Sequence, residues 1–263
     1  MFLAGRNQLM TRRSLIEAIR IFSEMGYGGL ELSVTRGMTQ AIVLDYLDDY
    51  VIKQVNDLCD ELSFPITALA IHQNFVTNED VYNAHVKLLK SAKKYRTKVL
   101  ITSTGIDLRQ RELNPDIYDL MAKKTRELCN IAEDNDALLA IEIEPNMICH
   151  NLKRFFELAD KVKSPALKMN FDVGHIYLSE VDLIKAIDDS KDFIAYSHIE
   201  NMVMGEHCHK LPWEGDIDLL KVYKKLKDTC YDGPVSLDIY IQDYEKTAPE
   251  CLDYINREIF SKI

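Results

Sequence analysis

Leu138-Leu-Ala-Ile-Glu-Ile-Glu144, Leu167-Lys-Met-Asn-Phe-Asp-Val-Gly-His175, Ile194-Ala-Tyr-Ser-His-Ile-Glu200 and Pro234-Val-Ser-Leu-Asp-Ile-Tyr240 follow one another along the chain with one layout. Each is a short apolar run. Each carries a side chain able to bind a metal near its C-terminal end: Glu142, Asp172, His198 and Asp238. A parallel barrel gathers the C-terminal ends of its strands at one face. Three carboxylates and an imidazole would then converge, a donor set suited to a divalent cation.

Working outward, strand-like and helix-like segments alternate from end to end. The strand patterns are Met1 to Ala4, Gly29 to Val34, Ile66 to His72, Lys98 to Thr104, Leu138 to Glu144, Ala166 to Asp172, Phe193 to Glu200 and Pro234 to Tyr240. Helical spacing of apolar residues falls between them, as with Leu15, Ile16, Ile19 and Phe22 before the stop at Gly26. The helices are expected at about Thr11–Met25, Asp45–Leu62, Glu79–Tyr95, Pro115–Asn135 (opened by Asn114), Leu152–Val162, Val181–Asp188, Ile217–Lys227 and Ala248–Phe260. A long loop is expected after Glu200. Strict alternation implies parallel strands with helical crossovers. Eight such units without a linker predict a single-domain α/β protein over 1–263, a closed (β/α)8 TIM barrel. An open doubly wound sheet would carry a glycine-rich first turn, and Gly5-Arg-Asn-Gln is not one.

Side-chain parity sharpens the site. Leu139, Ile141 and Ile143 share one face of their strand; Ala140, Glu142 and Glu144 share the other. Tyr196, His198 and Glu200 fall together, as do Ser236, Asp238 and Tyr240. Glu31 and His72 occupy the same inward face late in the second and third strands.

Composition bounds the partners. Net charge is −10, which disfavours a nonspecific nucleic-acid binder. No stretch approaches a membrane span of ~18 apolar residues, and the N-terminus lacks a signal-peptide layout. A cytoplasmic protein is expected, with its six scattered cysteines reduced and mostly buried.

These motifs resemble those of the xylose isomerase-like TIM barrels, the superfamily of sugar-phosphate isomerases and epimerases and of endonuclease IV. Leu139-Ala-Ile-Glu142 is similar to the fifth-strand metal-glutamate motif, and Asn170-Phe-Asp172-Val-Gly-His175 to the sixth-strand D-x-x-H. Ser197-His198-Ile-Glu-Asn201 resembles the seventh-strand metal histidine. Leu211-Pro-Trp-Glu-Gly-Asp-Ile-Asp218 and Tyr231-Asp-Gly-Pro-Val-Ser-Leu-Asp238 resemble the following loop and the eighth strand. The resemblance implies one divalent ion (Mn, Mg, Co or Zn) on Glu142, Asp172, His198 and Asp238, with His175 touching substrate. It also implies acid/base roles for Glu142 and Asp238. Two departures stand out. The eighth-strand ligand is usually Glu, and here it is the shorter Asp238. The fourth strand, Leu100-Ile-Thr-Ser-Thr104, lacks the histidine of the endonuclease's multi-zinc cluster, although His207 and His209 match its Asp-x-His loop.

The chemistry expected is isomerisation or epimerisation of a sugar, sugar phosphate or keto-polyol through a metal-stabilised enediolate. Two carboxylates on opposite sides suit a two-base proton transfer. Alternatives are a keto-polyol (inosose-type) dehydratase, an endonuclease IV-like phosphodiesterase and a non-catalytic sugar-binding barrel. Candidate substrate contacts are His175, His72, Glu31, His209, Trp213 and Glu214. Glu144, before Pro145, reads as a solvated rim acid, and Lys168 as a buried ion pair or catalytic group. Arg6 and Arg109 stand where a substrate phosphate or plain solvent would meet them. The expected partner is a small carbohydrate, with self-association in a homo-oligomer left open.

Overall fold

The computed structural model describes residues 1–37, 41–106, 115–241 and 243–263. Eight strands form a closed, all-parallel barrel: β1 (Phe2–Arg6), β2 (Leu30–Ser33), β3 (Ile66–Ile71), β4 (Val99–Thr102), β5 (Leu138–Glu142), β6 (Leu167–Asp172), β7 (Ile194–Ile199) and β8 (Pro234–Leu237). Neighbours in sequence are neighbours in space, and β8 closes on β1. The expected barrel is therefore the one observed.

Nine α-helices occur among the described residues: α1 (Leu15–Met25), α2 (Asp49–Leu62), α3 (Glu79–Ser91), α4 (Pro115–Asp134), α5 (Leu152–Val162), α6 (Val173–Ser179), α7 (Leu183–Ser190), α8 (Leu219–Asp228) and α9 (Tyr244–Glu258). Side-chain caps set most of their starts. Ser14 and Glu17 form a capping box on α1, while Asn78, Asn151, Asp182 and Asp218 accept backbone N–H groups at α3, α5, α7 and α8. Gly26, at φ 90°, ends α1 in the left-handed region.

Several boundaries differ from the sequence reading, among them the start of α9 at Tyr244 rather than Ala248 and the end of α3 at Ser91 rather than Tyr95. The first strand runs on to Arg6, because Gly5 and Arg6 pair with Leu30 and Glu31. A ninth helix, α6, begins directly at the end of β6, where Asp172 caps it. The expected loop after Glu200 is a β-hairpin, Asn201–Val203 against Glu206–Lys210. Asn114, read as a helix start, lies outside the described residues.

The alternation divides the barrel into two packed layers. Ala68, Ala70, Ile101, Ala140 and Tyr196 fill the interior. Their neighbours Leu69, Leu100, Leu139 and Ile141 face the helices in the large outer core. The interior is thus plugged below the C-terminal ends of the strands, so that end forms the floor of the site. Lys168 points to the opposite end, where Nζ donates to the Asp192 carbonyl at 2.9 Å; it is neither a buried ion pair nor a catalytic group. All six cysteines are free, and only Cys208 and Cys230 are exposed. Among the described residues, no helix is long and apolar enough to cross a membrane.

Candidate metal centre and active site

Register brings the four expected ligands together. Asp172 pairs with His198, which pairs with Ser236 on β8, and Glu142 pairs with Asn170. Nδ1 of His198 lies 3.1 Å from Glu142 Oε2, 3.5 Å from Asp172 Oδ2 and 3.4 Å from Asp238 Oδ2. All four side chains are buried.

This arrangement fits a divalent ion. Bonds of about 2.1 Å to each donor place neighbouring donors about 3.0–3.4 Å apart, close to the separations seen. His198 Nδ1 and Asp172 Oδ2 are buried and have no hydrogen-bond partner, which is costly without a cation between them. The acids make the centre a trap for positive charge. Burial opposes charging His198, but Glu31, Glu142 and Asp172 outweigh it and push its pKa well up. Burial likewise disfavours ionised Glu142, yet the His72 and His198 rings hold its carboxyl well below the usual range.

A surrounding set of side chains fixes the ligands. Asp172 spends Oδ1 on the His175 N–H at 2.8 Å, which starts α6 and leaves Oδ2 for the centre. Asn170 Nδ2 donates to Glu142 Oε2 at 2.6 Å. Glu31 is fully buried behind His198, does not line the cavity, and accepts the Nε2–H of that ring at 2.8 Å, which fixes the ring's orientation. Arg6 is buried too, paired with Glu31 and with Asp238 at the border of the cavity, and is not a surface arginine. Glu200 accepts the Gly174 N–H; burial, then repulsion from Asp172 and Asp238, pushes its pKa well above the usual carboxylate range.

Above this floor lies a cavity of about 550 Å³, walled by the expected His72, Glu142, His175, His209, Glu214 and Asp238. Glu144, Tyr240 and the hairpin residues His207, Cys208 and Lys210 complete much of the wall. Glu144 is therefore part of the pocket rather than a solvated rim acid, and burial pushes its pKa up to about 7. Trp213 does not line the cavity; its indole meets Tyr254 edge-on at 5.3 Å. Arg109 lies outside the described residues.

Three imidazoles converge on one side. His207 Nε2 lies 2.9 Å from His175 Nε2, and the His209 ring packs 5.1 Å from that of His175. Burial opposes a charge on His175, but Asp172 and Glu142 raise its pKa to about 10. Burial and then the His175 charge lower that of His207 to about 4. Of the two rings, His175 is therefore the more basic. His209 Nδ1 donates to the Asp238 carbonyl at 3.0 Å, which anchors the hairpin over the site.

Fold and site together define a (β/α)8 barrel with a carboxylate–histidine cluster at the C-terminal ends of its strands. The chain belongs to the xylose isomerase-like TIM barrel family, whose model matches residues 19–257. It is 20% identical over 242 residues, 89% of this chain and 85% of the relative, to L-ribulose-5-phosphate 3-epimerase UlaE of Shigella flexneri serotype 5b (strain 8401). Its fold matches 3-keto-D-glucoside 4-epimerase YcjR from E. coli with a TM-score of 0.81 at 16% identity, covering 98% of this chain and 99% of that one. The IOLI protein with a bound zinc atom also gives 0.81, at 17% identity, covering 100% and 99%.

Proposed function

We propose that this chain is a divalent-metal-dependent enzyme that isomerises or epimerises a sugar, sugar phosphate or keto-polyol. The observation that carries the reading is the approach of Glu142, Asp172 and Asp238 to Nδ1 of His198 on the floor of an open cavity. Its family relatives, among them sugar epimerases, and a zinc-bound fold neighbour support it.

A divalent ion held there supplies a Lewis acid that polarises a substrate carbonyl and stabilises the charge left when a neighbouring C–H is lost. The rest falls to the chain's own groups. Glu142 lines the cavity as an ionised carboxylate and takes the proton. Returned by Glu142 to the neighbouring carbon, the same proton isomerises the substrate; Asp238, from the other side of β6 and β7, faces the same space as an ionised carboxylate beside Arg6 and is placed to act as the base on the opposite face. His175, anchored through its backbone N–H by Asp172, lines the cavity within reach of a substrate oxygen. His72 and His209 border the same space, and the hairpin narrows access of water.

The test joins metal content with C–H exchange. Elemental analysis of untagged, chelator-free protein should give about one Mn, Co, Mg or Zn per chain. Ketoses and ketose phosphates incubated in D2O should gain deuterium next to the carbonyl with the wild type and not with Glu142→Gln. Protein that stays metal-free after reconstitution, or exchange that survives in Glu142→Gln, would overturn the reading.

The convergence of His175, His207 and His209 favours a second reading, hydrolysis of a phosphodiester with an additional ion. Two or three zinc ions per chain and cleavage of abasic DNA would support it, against the net charge of −10.

A further inference from the structure

Arg6 adds no ligand to the centre, yet it is the largest fully buried side chain among the described residues. Its guanidinium is used on three sides. Nε donates to Glu31 Oε1 at 2.9 Å, Nη2 lies 3.3 Å from both Gln8 Oε1 and His72 Nε2, and Nη1 pairs with Asp238 Oδ1. A buried guanidinium is tolerated only when its charge is matched in this way; Nη1 and Asp238 Oδ1 meet as an ion pair rather than through an aligned hydrogen bond. The fork fixes the orientation of the Asp238 carboxylate as well as its charge.

The consequence lies in which oxygen remains. Oδ1 of Asp238 is ion-paired with Arg6, and Oδ2 is the oxygen that approaches His198 Nδ1, at 3.4 Å. Asp172 is restricted in the same manner, by the His175 N–H on Oδ1. Calcium gathers six to eight oxygens and readily takes two from one carboxylate, whereas smaller divalent ions settle for fewer donors at shorter distances.

We propose that Arg6 is a specificity-determining residue for the ion: by clamping Oδ1 of Asp238 it denies two-oxygen ligation and sets the centre against Ca²⁺ in favour of a smaller ion such as Mn²⁺. This rests on the reading of the cluster as a metal centre. Arg6 acts through Asp238 and is a positioning residue, not a catalytic one.

The test uses two ions of equal charge. Removing a nearby cation alters the attraction of any divalent ion alike, so the ratio of the Ca²⁺ and Mn²⁺ dissociation constants isolates the effect of coordination. The full chain is titrated with each ion as wild type, Arg6→Lys and Arg6→Met. Lysine keeps the charge, but a single ammonium cannot hold Glu31 and Asp238 as a fork. The preference for Mn²⁺ should fall by about tenfold or more in both variants. If Arg6→Met does not fold, Arg6→Lys decides alone. An unchanged ratio, with both affinities moving together or lost together, overturns the proposal. A wild type that takes up neither ion removes the metal centre itself, an outcome distinct from a wild type that binds Mn²⁺ and variants that keep its preference.

Discussion

Glu31 Oε2 lies 2.8 Å from Nε2 of His198, and this contact decides which ring nitrogen faces the acid cluster. The carboxylate takes the Nε2–H, so the lone pair of the neutral ring sits on Nδ1, toward Glu142, Asp172 and Asp238. Arg6, on the far side, holds Glu31 ionised: burial alone would raise its pKa, but Arg6 and then His198 bring it down to about 2. Glu31→Gln keeps the size and replaces the charge with an amide that can present its NH2 to the ring. We expect metal affinity to fall about 10- to 100-fold. A Mn²⁺ titration checks this; an unchanged dissociation constant would mean that packing alone orients the ring.

His85 predicts a pH dependence separate from the site. It is fully buried in α3, with Nδ1 donating to the Val81 carbonyl at 2.7 Å and Nε2 lying 2.7 Å from the Thr102 hydroxyl oxygen. Burial lowers its pKa to about 4 from 6.5. Between those values the unfolded chain binds a proton at this position that the folded chain does not. Stability from the neutral ring is therefore full above pH 6.5 and is lost as pH falls toward 4. Across the window the loss is about 3 kcal/mol, and about 2 kcal/mol of it is felt by pH 5. His85→Gln cannot titrate. Its stability deficit in urea unfolding should shrink by about 2 kcal/mol between pH 7.5 and pH 5. A constant deficit would show that the ring does not control this window.

Gly174 is held to its size by its surroundings. A Cβ there would overlap Glu200 Oε1 and the side chain of Met202, and the backbone N–H already donates to Glu200. The residue sits between Asp172 and His175, so any shift moves both. Gly174→Ala should cost about 1–3 kcal/mol from overpacking and should weaken metal binding as well. Calorimetry with and without Mn²⁺ separates the two effects. A variant as stable as the wild type would mean that the hairpin gives way instead.

Much of this site was legible because strand parity converts sequence into direction. Glu142, His198 and Asp238 read as inward, late residues, and they are. What escaped the reading depended on side chains having two tasks. Asp172 both faces the centre and caps a helix, so α6 was hidden behind a strand ending. Arg6 shares the inward face of β1 with Ala4, but a strand ended at Ala4 left it outside, and an arginine is ordinarily a surface residue. Only its partners, Glu31 and Asp238, distant in sequence, account for its burial. The hairpin that carries His207 and His209 has few apolar residues in alternation, so it lacked a strand signal. Pro145 makes Glu144 read as a rim acid, yet Ser103 and His175 face it from neighbouring elements.

Tyr196 tests the plug beneath the centre. Its ring fills the barrel interior two residues before His198, and its buried hydroxyl bridges Thr67 Oγ1 at 2.7 Å and Ser236 Oγ at 2.8 Å. Tyr196→Phe keeps the ring and the packing but strands two hydroxyls that have little access to water. We expect a loss of about 1–3 kcal/mol in unfolding free energy, with about one bound metal retained, because no atom of the hydroxyl layer reaches the ligands. Urea unfolding and metal analysis on the same sample decide it. If stability is unchanged, Thr67 and Ser236 find other partners. If metal is lost with stability intact, the plug, rather than the strand ends alone, fixes the height of His198.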